Sequence, residues 1–390
     1  MIKKVLFCIG SRANYSSIKS VILEFSQDKN IEVQIILFSS SVLQRYGSLI
    51  DYVKKDGLKV NYVIYNQIEG ENPLTMAKST GLALIEMTSA FNQLNPDIVF
   101  TVGDRYETMA TVLAASYMNI PLAHTMGGEV SGTIDESIRH AITKFSHIHF
   151  PASRDAYQRI IKLGEEKNNV HLVGCPRIDL VKNYLLTKNV LSFEKLNQVI
   201  FKNGVGKSFD LKKGFVLVSQ HPVTTEYKKN KENILVTLNS IKKLNLNALV
   251  LWPNSDAGSD LVSQGIRIFR EKNPNLNFFY IKNLEIIHYV NLMHKTKCLI
   301  GNSSSGIREG AYIGTPVVNL GTRQNHRERG KNVLDCNFNM NEVTKAIKKQ
   351  ISINKSFLKN DVYGNGNASK KIIKIIKSLK NIKIQKTITY

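Results

Sequence analysis

This chain is short of cysteine, short of acids and without any long apolar run, and each shortage closes off a class of protein. Its 390 residues hold four cysteines, Cys8, Cys175, Cys298 and Cys336, far apart and three of them inside apolar, strand-like runs. No CxxC pair and no Cys/His group with zinc spacing occurs, so the expectation is buried, reduced thiols and no metal site. Missing too is a stretch of about 18 apolar residues, which a membrane-spanning helix needs. The opening MIKKVLFCIG meets Arg12 and Asn14 too soon for a secretory leader. A cytoplasmic protein with no membrane partner is expected. Acids are scarce: 53 Lys and Arg face 31 Asp and Glu, a net charge of +22. Such a balance invites a polyanion partner. Yet the densest basic run, KKIIKIIKSLKNIKIQK (370–386), has no aromatic residues interleaved as a stacking platform would need. A solvated, lysine-rich surface and no nucleic acid is the expectation, with nucleic-acid binding the alternative outside the enzymes.

What the chain does have is alternation. Short β-branched runs (KVLFCIG, IEVQIILFSS, DIVFTVGD, IPLAHTM, HIHFPA, NVHLVG) are separated by helical stretches such as 105–119 and 153–163. After a helical stretch at 183–204 the pattern restarts with FVLVSQHP, NALVLWPN, NFFYIKN, KCLIGNSS and TPVVNLG. Strands alternating with helices predict an α/β protein with parallel sheets. A length of 390 residues suits two domains. The expected division is a Rossmann-like domain over 1–180, a second over 181–365, and a C-terminal helix within 366–390. Ligands of such folds belong beyond the carboxyl ends of the strands, so a cleft between the domains is the expected site.

Chemistry-bearing residues fall at those strand ends. SRANYSS, GDRYE and MGGE follow strands in the first half, and QHP, WPN, NSSSG and GTRQNHRERG in the second. GNSSSGIREG (301–310) follows KCLI and opens a helix, where backbone N–H groups and Ser303 and Ser304 would receive an anion. Glu309, one turn in, could accept both hydroxyls of a ribose. No GK[ST] follows, and SRANYSS is not G-x-G-x-x-G, which argues against a Walker loop and a dinucleotide site. Arg12, Arg105, Arg323 and His221 are strand-end cations suited to phosphate. Asp104 and Glu129 end apolar runs, where a carboxylate facing a cleft can exchange protons. Thr133-x-x-Glu136 reads as a capping box, with Ile138, Ala141, Ile142 and Phe145 as the buried stripe of the helix. Asp135 has Arg139 at i+4 as a partner. His147 and His149 alternate on a strand; no metal is assigned to them.

Taken together, GDRYET, GGEVSGTIDESIRHAITK, VGCPRIDL, SQHPVTTE, GNSSSGIREGAYIGTPVVNLGTRQNHRERGKNV and YGNGNAS resemble the hydrolysing UDP-N-acetylglucosamine 2-epimerases of sialic-type acid synthesis. The resemblance runs from Ser11 to about Ser369. It implies the GT-B fold, a last helix crossing back to the first domain, and a homodimer or homotetramer. It implies no cofactor, and hydrolysis of UDP-GlcNAc to N-acetylmannosamine and UDP through a glycal. Asp104, Glu129, Asp135 and His221 fall in the catalytic motifs. Arg12, Ser16, Arg105, His221, Asn254, Ser303, Ser304, Glu309 and Arg323 match positions that hold UDP. Where many relatives carry an acid three places before Glu129, this chain has Met126. The same reaction on UDP-2,4-diacetamido-2,4,6-trideoxyglucose is the close alternative, and a GT-B glycosyltransferase the next.

Overall fold

Near-continuous apolar strands buried on both faces are what parallel sheets require, and the computed structural model contains two such sheets. It describes residues 2–44, 48–70, 72–186, 190–254, 256–282 and 284–389. The first sheet comprises β1 (Lys4–Ile9), β2 (Glu32–Phe38), β3 (Tyr62–Ile64), β4 (Ile98–Val102), β5 (Leu122–Thr125) and β6 (Ile148–Phe150). All are parallel, in the order β3-β2-β1-β4-β5-β6. The second sheet comprises β7 (Gly204–Gly206), β8 (Val216–Ser219), β9 (Ala248–Leu251), β10 (Phe278–Ile281), β11 (Cys298–Gly301), β12 (Val317–Leu320) and β13 (Val333–Cys336). Its order is β13-β12-β11-β8-β9-β10-β7, with β7 the antiparallel edge. This is an α/β architecture of the GT-B type.

Strand order decides where chemistry can sit. In the first sheet the winding runs outward from β1 through β2 and β3, then restarts at β4 and runs the other way. In the second, β8 to β10 run one way and β11 to β13 the other. Loops leaving two adjacent strands at such a reversal diverge to opposite faces and leave a crevice beyond the strand ends. Arg12 follows β1 and Asp104 follows β4; His221 follows β8 and Ser303 follows β11.

The chain divides into two units, Met1–Val130 with Ile134–Leu180 and Tyr363–Tyr390, and Ser131–Thr133 with Val181–Val362. In the first, Phe7, Phe100 and Phe150 stack through the core with Phe25 edge-on to Phe7 and Phe100, and the Phe7 and Phe100 rings are 5.0 Å apart. The last helix, Ala368–Ser378, belongs to this unit and packs on the Arg12–Ser26 helix. Buried Asp179 accepts from Ala368 N at 3.0 Å and from Ser369 N and Oγ at 2.7 Å, which caps that last helix from elsewhere in the chain.

Two local expectations differ from the structure, and a third, the helical stretch at 183–204, agrees with it over the described residues. NVHLVG is not a strand: it contributes one bridge, Val170 to His149. The short β3, β7 and β13 went unrecognised, since β7 is three exposed residues with two glycines and carries no periodicity to read. The 183–204 stretch contains the end of the Pro176–Leu186 helix and the Phe193–Ile200 helix, and residues 187–189 of it lie outside the described residues.

Candidate functional site

In the first unit a guanidinium with no exposed surface organises the carboxylates. Arg139 lies on the Asp135–Phe145 helix. Its Nη1 donates to the Glu129 carbonyl and to Glu136 Oε2, each at 2.9 Å, and its Nη2 to Asp104 Oδ2. Burial opposes its charge, but Asp104, Glu129 and Asp135 outweigh that and hold it more firmly protonated than a free guanidinium. One cation therefore ties the turn after β4 to the loop after β5 and to the helix that follows. The buried face of that helix is Arg139, Ile142 and Thr143, while Phe145 is exposed. The expected stripe was off because a charged residue occupies its seam.

The expected capping box is also corrected. The helix starts at Asp135, and Ile134 before it has helical dihedrals and no side-chain cap. Thr133 belongs to the other unit. Glu136 points along its helix, to Arg139 and to His140 Nε2 at 2.9 Å. A hydrogen bond to a buried guanidinium outcompetes one to a neutral amide. Asp104 and Glu129 do stand at strand ends, Glu129 buried and Asp104 partly so. Sequence reading did not foresee Asp104's contact with Arg139.

The backbone here is shaped by tight packing. Gly127 has no room for a Cβ, which would lie 2.6 Å from His124 Nδ1. His124 is fully buried, and burial drives its pKa down to about 3, so the ring is neutral. Its Nε2–H then donates to the Gly103 carbonyl at 2.8 Å, bracing the turn that carries Asp104. Met126 sits at φ 61, in the left-handed region that costs a non-glycine residue energy and marks functional sites. Its thioether is buried, with Cys175 Sγ 3.6 Å from Sδ.

The strand-end cations of this unit have partners of their own. Arg105 pairs with fully buried Glu107 at 2.5 Å. Gly10 leaves space for that carboxylate, since a Cβ would come 2.6 Å from Glu107 Cγ. Arg12 opens its helix and covers the Tyr52 ring at 4.5 Å. Ser16 accepts from Arg177 Nη2 at 3.0 Å, so Arg177 joins this set although sequence reading passed over it. Glu107 and His124 were likewise unrecognised, their only signal being their place beside the GDR and GGE motifs, and Arg139 was read only as the i+4 partner of Asp135.

The second unit gathers the remaining candidates. Gly301 (φ 135) lets the end of β11 approach β8, where a Cβ would lie 2.3 Å from the Ser219 carbonyl. Asn302, fully buried, clamps His221: its Oδ1 accepts from His221 N at 2.7 Å and its Nδ2 donates to His221 O at 2.8 Å. His221 Nδ1 accepts from Asn254 N at 3.2 Å, leaving Nε2 as the proton-bearing nitrogen of the neutral ring. Asn254 Nδ2 donates to Asp256 Oδ2 at 2.5 Å, and Asp256 lies 3.7 Å from Arg323 Nη2. Arg323 Nη1 also donates to Asn302 O at 3.2 Å. Ser303 caps the Ser304–Ile313 helix, Ser304 accepts from Arg308 Nη1 at 3.4 Å, and Glu309 is buried one turn further on. Helix N-terminus, hydroxyls and a nearby guanidinium make an anion site. Among the described residues no group of three or more His, Cys, Asp or Glu is placed to hold a metal ion.

The strand-end candidates thus fall into two sets, one per unit: Arg12, Ser16, Arg105, Asp104, Glu129 and Asp135, and His221, Asn254, Ser303, Ser304, Glu309 and Arg323. Residues 23–377 match the family model described as UDP-N-acetylglucosamine 2-epimerase. The chain is 31% identical to the UDP-N,N'-diacetylbacillosamine 2-epimerase (hydrolyzing) of Legionella pneumophila, covering 97% of each. It is 27% identical to a UDP-N-acetylglucosamine 2-epimerase of Neisseria meningitidis, covering 93% of this chain and 91% of that one. Among solved structures, the Neisseria meningitidis UDP-GlcNAc 2-epimerase bound to UDP-GlcNAc shares the fold. Its TM-score is 0.80 at 20% identity, over 96% of this chain and 100% of that one.

Proposed function

Because the chain belongs to the UDP-N-acetylglucosamine 2-epimerase family, and so is a UDP-sugar 2-epimerase, we propose that it is a hydrolysing one. In this reading it inverts C2 of a UDP-2-acetamido sugar and releases the sugar and UDP. The observation that carries the reading is the Arg139 cluster, which holds Asp104, Glu129 and Glu136 around one buried cation.

C2 of such a sugar bears a weakly acidic C–H, and UDP leaves with two phosphate charges. Removing that proton while the C1–O bond breaks gives a glycal; returning a proton to C2 from the other face while water adds at C1 gives the free epimer. Two proton-exchanging groups are needed, and Asp104, Glu129 and Asp135 supply them. Arg139, bonded to the Asp104 carboxylate and to the Glu129 backbone carbonyl, keeps the segments that carry these acids in register while protons move. Arg12 and Arg105 contribute positive charge, and Ser16 a hydroxyl. Ser303, Ser304, the helix they begin, Asn254 and Arg323 bind the departing diphosphate. Glu309 takes the ribose hydroxyls, and His221 Nε2–H donates to the leaving oxygen.

The favoured substrate is UDP-2,4-diacetamido-2,4,6-trideoxyglucose. Supporting it are the Legionella relative's higher identity and the buried thioether of Met126, at the place where the family resemblance implies an acid. An apolar wall suits a sugar whose C6 is a methyl group. UDP-GlcNAc is the second reading, supported by the Neisseria relative. Four free cysteines fit a reducing cytoplasm. Among the described residues no helix is long and apolar enough to cross a membrane.

Incubating the protein with each nucleotide sugar in deuterated water tests the proposal. UDP and a free, C2-inverted sugar carrying deuterium at C2 are expected. An inverted UDP-sugar without free UDP, transfer to an added acceptor, or no turnover of either substrate would overturn it.

A further inference from the structure

The basic run at 370–386 reads as a solvated surface, but its last member, Lys386, turns inward. Beyond the Ala368–Ser378 helix the chain continues without regular structure over 379–389, along the first unit. Three points fasten it. His147 Nδ1 accepts from Leu122 N at 3.1 Å, so its Nε2–H donates to the Ile384 carbonyl, at 3.0 Å. Thr389 donates to the Gly164 carbonyl, from N at 3.0 Å and from Oγ1 at 3.3 Å. Between them, Lys386 Nζ donates to the Thr143 carbonyl at 3.4 Å, to the Lys144 carbonyl at 2.7 Å and to the Ser146 carbonyl. It also pairs with buried Glu165 Oε2 at 2.6 Å. Those carbonyls are the C-terminal end of the Asp135–Phe145 helix. The last carbonyls of a helix have no partner within it and carry partial negative charge. A left-handed residue often satisfies them; here Ser146 is extended, at ψ 146, and an ammonium from a distant stretch of chain serves instead.

The same helix carries Asp135, Glu136 and Arg139, and Arg139 holds the Asp104 carboxylate. With no side-chain cap at its first turn, it is anchored by Arg139 in its middle and by Lys386 at its far end. Thr143 links the two anchors: its carbonyl receives Lys386, and its hydroxyl donates to the Arg139 carbonyl at 3.0 Å. We propose that Lys386 is a positioning residue of the reaction: held by Glu165, it fixes the helix that carries Asp135 and Arg139, and through Arg139 the Asp104 carboxylate. The inference rests on the hydrolysing reading above. A misplacement of about 1 Å can cost roughly a hundredfold in rate. The groups assigned to the diphosphate in the second unit are not touched by this strap.

Lys386→Met removes the ammonium and keeps an unbranched side chain; Lys383→Met, exposed in the same tail, is the control. Turnover per UDP-binding site, the sites counted by calorimetry, should fall by roughly tenfold or more in Lys386→Met with KM little changed. Lys386→Arg should recover most of it, and Lys383→Met should match wild type. Hydrogen exchange should quicken in Lys386→Met at 135–146 and at 103–107, a readout that needs no turnover. If Lys386→Met does not fold, Lys386→Gln, which keeps N–H donors, takes its place. A mutant that melts earlier but keeps wild-type turnover per site would make Lys386 merely structural and overturn the inference. So would unchanged exchange at 103–107, or an arginine that recovers nothing. A wild type that turns over neither sugar overturns the hydrolysing reading instead, and exchange at 103–107 then decides whether Lys386 places Asp104.

Discussion

A guanidinium with no exposed surface stays in a protein only if carboxylates and carbonyls meet it, and Arg139 has both kinds of partner. Its neighbours are therefore held in place by charge as well as by packing. Asp104→Asn keeps the shape of that neighbour and removes its proton chemistry. Turnover should vanish while UDP affinity, measured by calorimetry, stays close to wild type; an equal loss of UDP binding would make Asp104 structural. Arg323→Ala, in the other set, should weaken UDP by about 1–3 kcal/mol, the range for a charge-assisted contact. A third prediction concerns Glu165, which no sequence signal singled out. It lies against Lys144 at 2.7 Å, Lys386 at 2.6 Å and His149 at 3.1 Å. Burial alone would raise its pKa, but His149, Lys144 and Lys386 outweigh it and bring the value down to about 2, against 4.5 ordinarily. A depressed carboxylate stabilises the fold fully above the ordinary value, and that contribution fades as pH falls from 4.5 through 2. Glu165→Gln should cost about 1–3 kcal/mol at neutral pH, because its lysine partners are partly solvated. Thermal melts of mutant and wild type should converge as pH drops through that window.

Several helices here use their own cap residue, as at Ser11, Asn72, Ser153 and Ser303, but the last helix takes its cap from a partner distant in sequence. The Ala368–Ser378 helix has no cap from Asn367; Asp179 supplies one across the first unit. Asp179→Ala should therefore destabilise the protein by about 0.5–2 kcal/mol, the range for losing a helix cap. Denaturant titration would read this as a lower midpoint with unchanged slope. Gly301→Ala forces a Cβ against the Ser219 carbonyl and a side chain into φ 135. Strain of about 1–3 kcal/mol is expected, and because Asn302 and Ser303 follow directly, UDP affinity should fall with stability. The capping box that sequence suggested at Thr133 lost to a stronger electrostatic claim on Glu136. The Asn72 and Ser153 caps are made by the helices' own residues, whereas at Thr133 the local signal misled beside a buried charge.

At the level of the whole chain, the charge of +22 remains the feature least explained by UDP alone. In the proposed reading the basic residues at strand ends serve the diphosphate, but the lysines of the last helix are spread along its outer face. A gel shift with single-stranded and duplex nucleic acid at about 50 mM salt should stay blank, since phosphate binding by a true polyanion site is strongest at low salt. Retardation that weakens steeply with added salt would instead give those lysines a partner.

Two things were decided by the sequence alone: that apolar β-rich runs alternate with helices, hence parallel sheets, and that the residues after those runs carry acids, cations and hydroxyls in place of generic turns. Periodicity records which side of an element is buried, so both were legible. It does not record which strands become neighbours. The reversals at β1/β4 and β8/β11, which bring Arg12 to the strand next to that of Asp104 and His221 to the strand next to that of Ser303, exist only once the sheets are assembled. Nor could sequence reveal that Arg139 would be buried, because the free energy of a buried charge depends on the carboxylates around it, and those arrive from three separate stretches of chain.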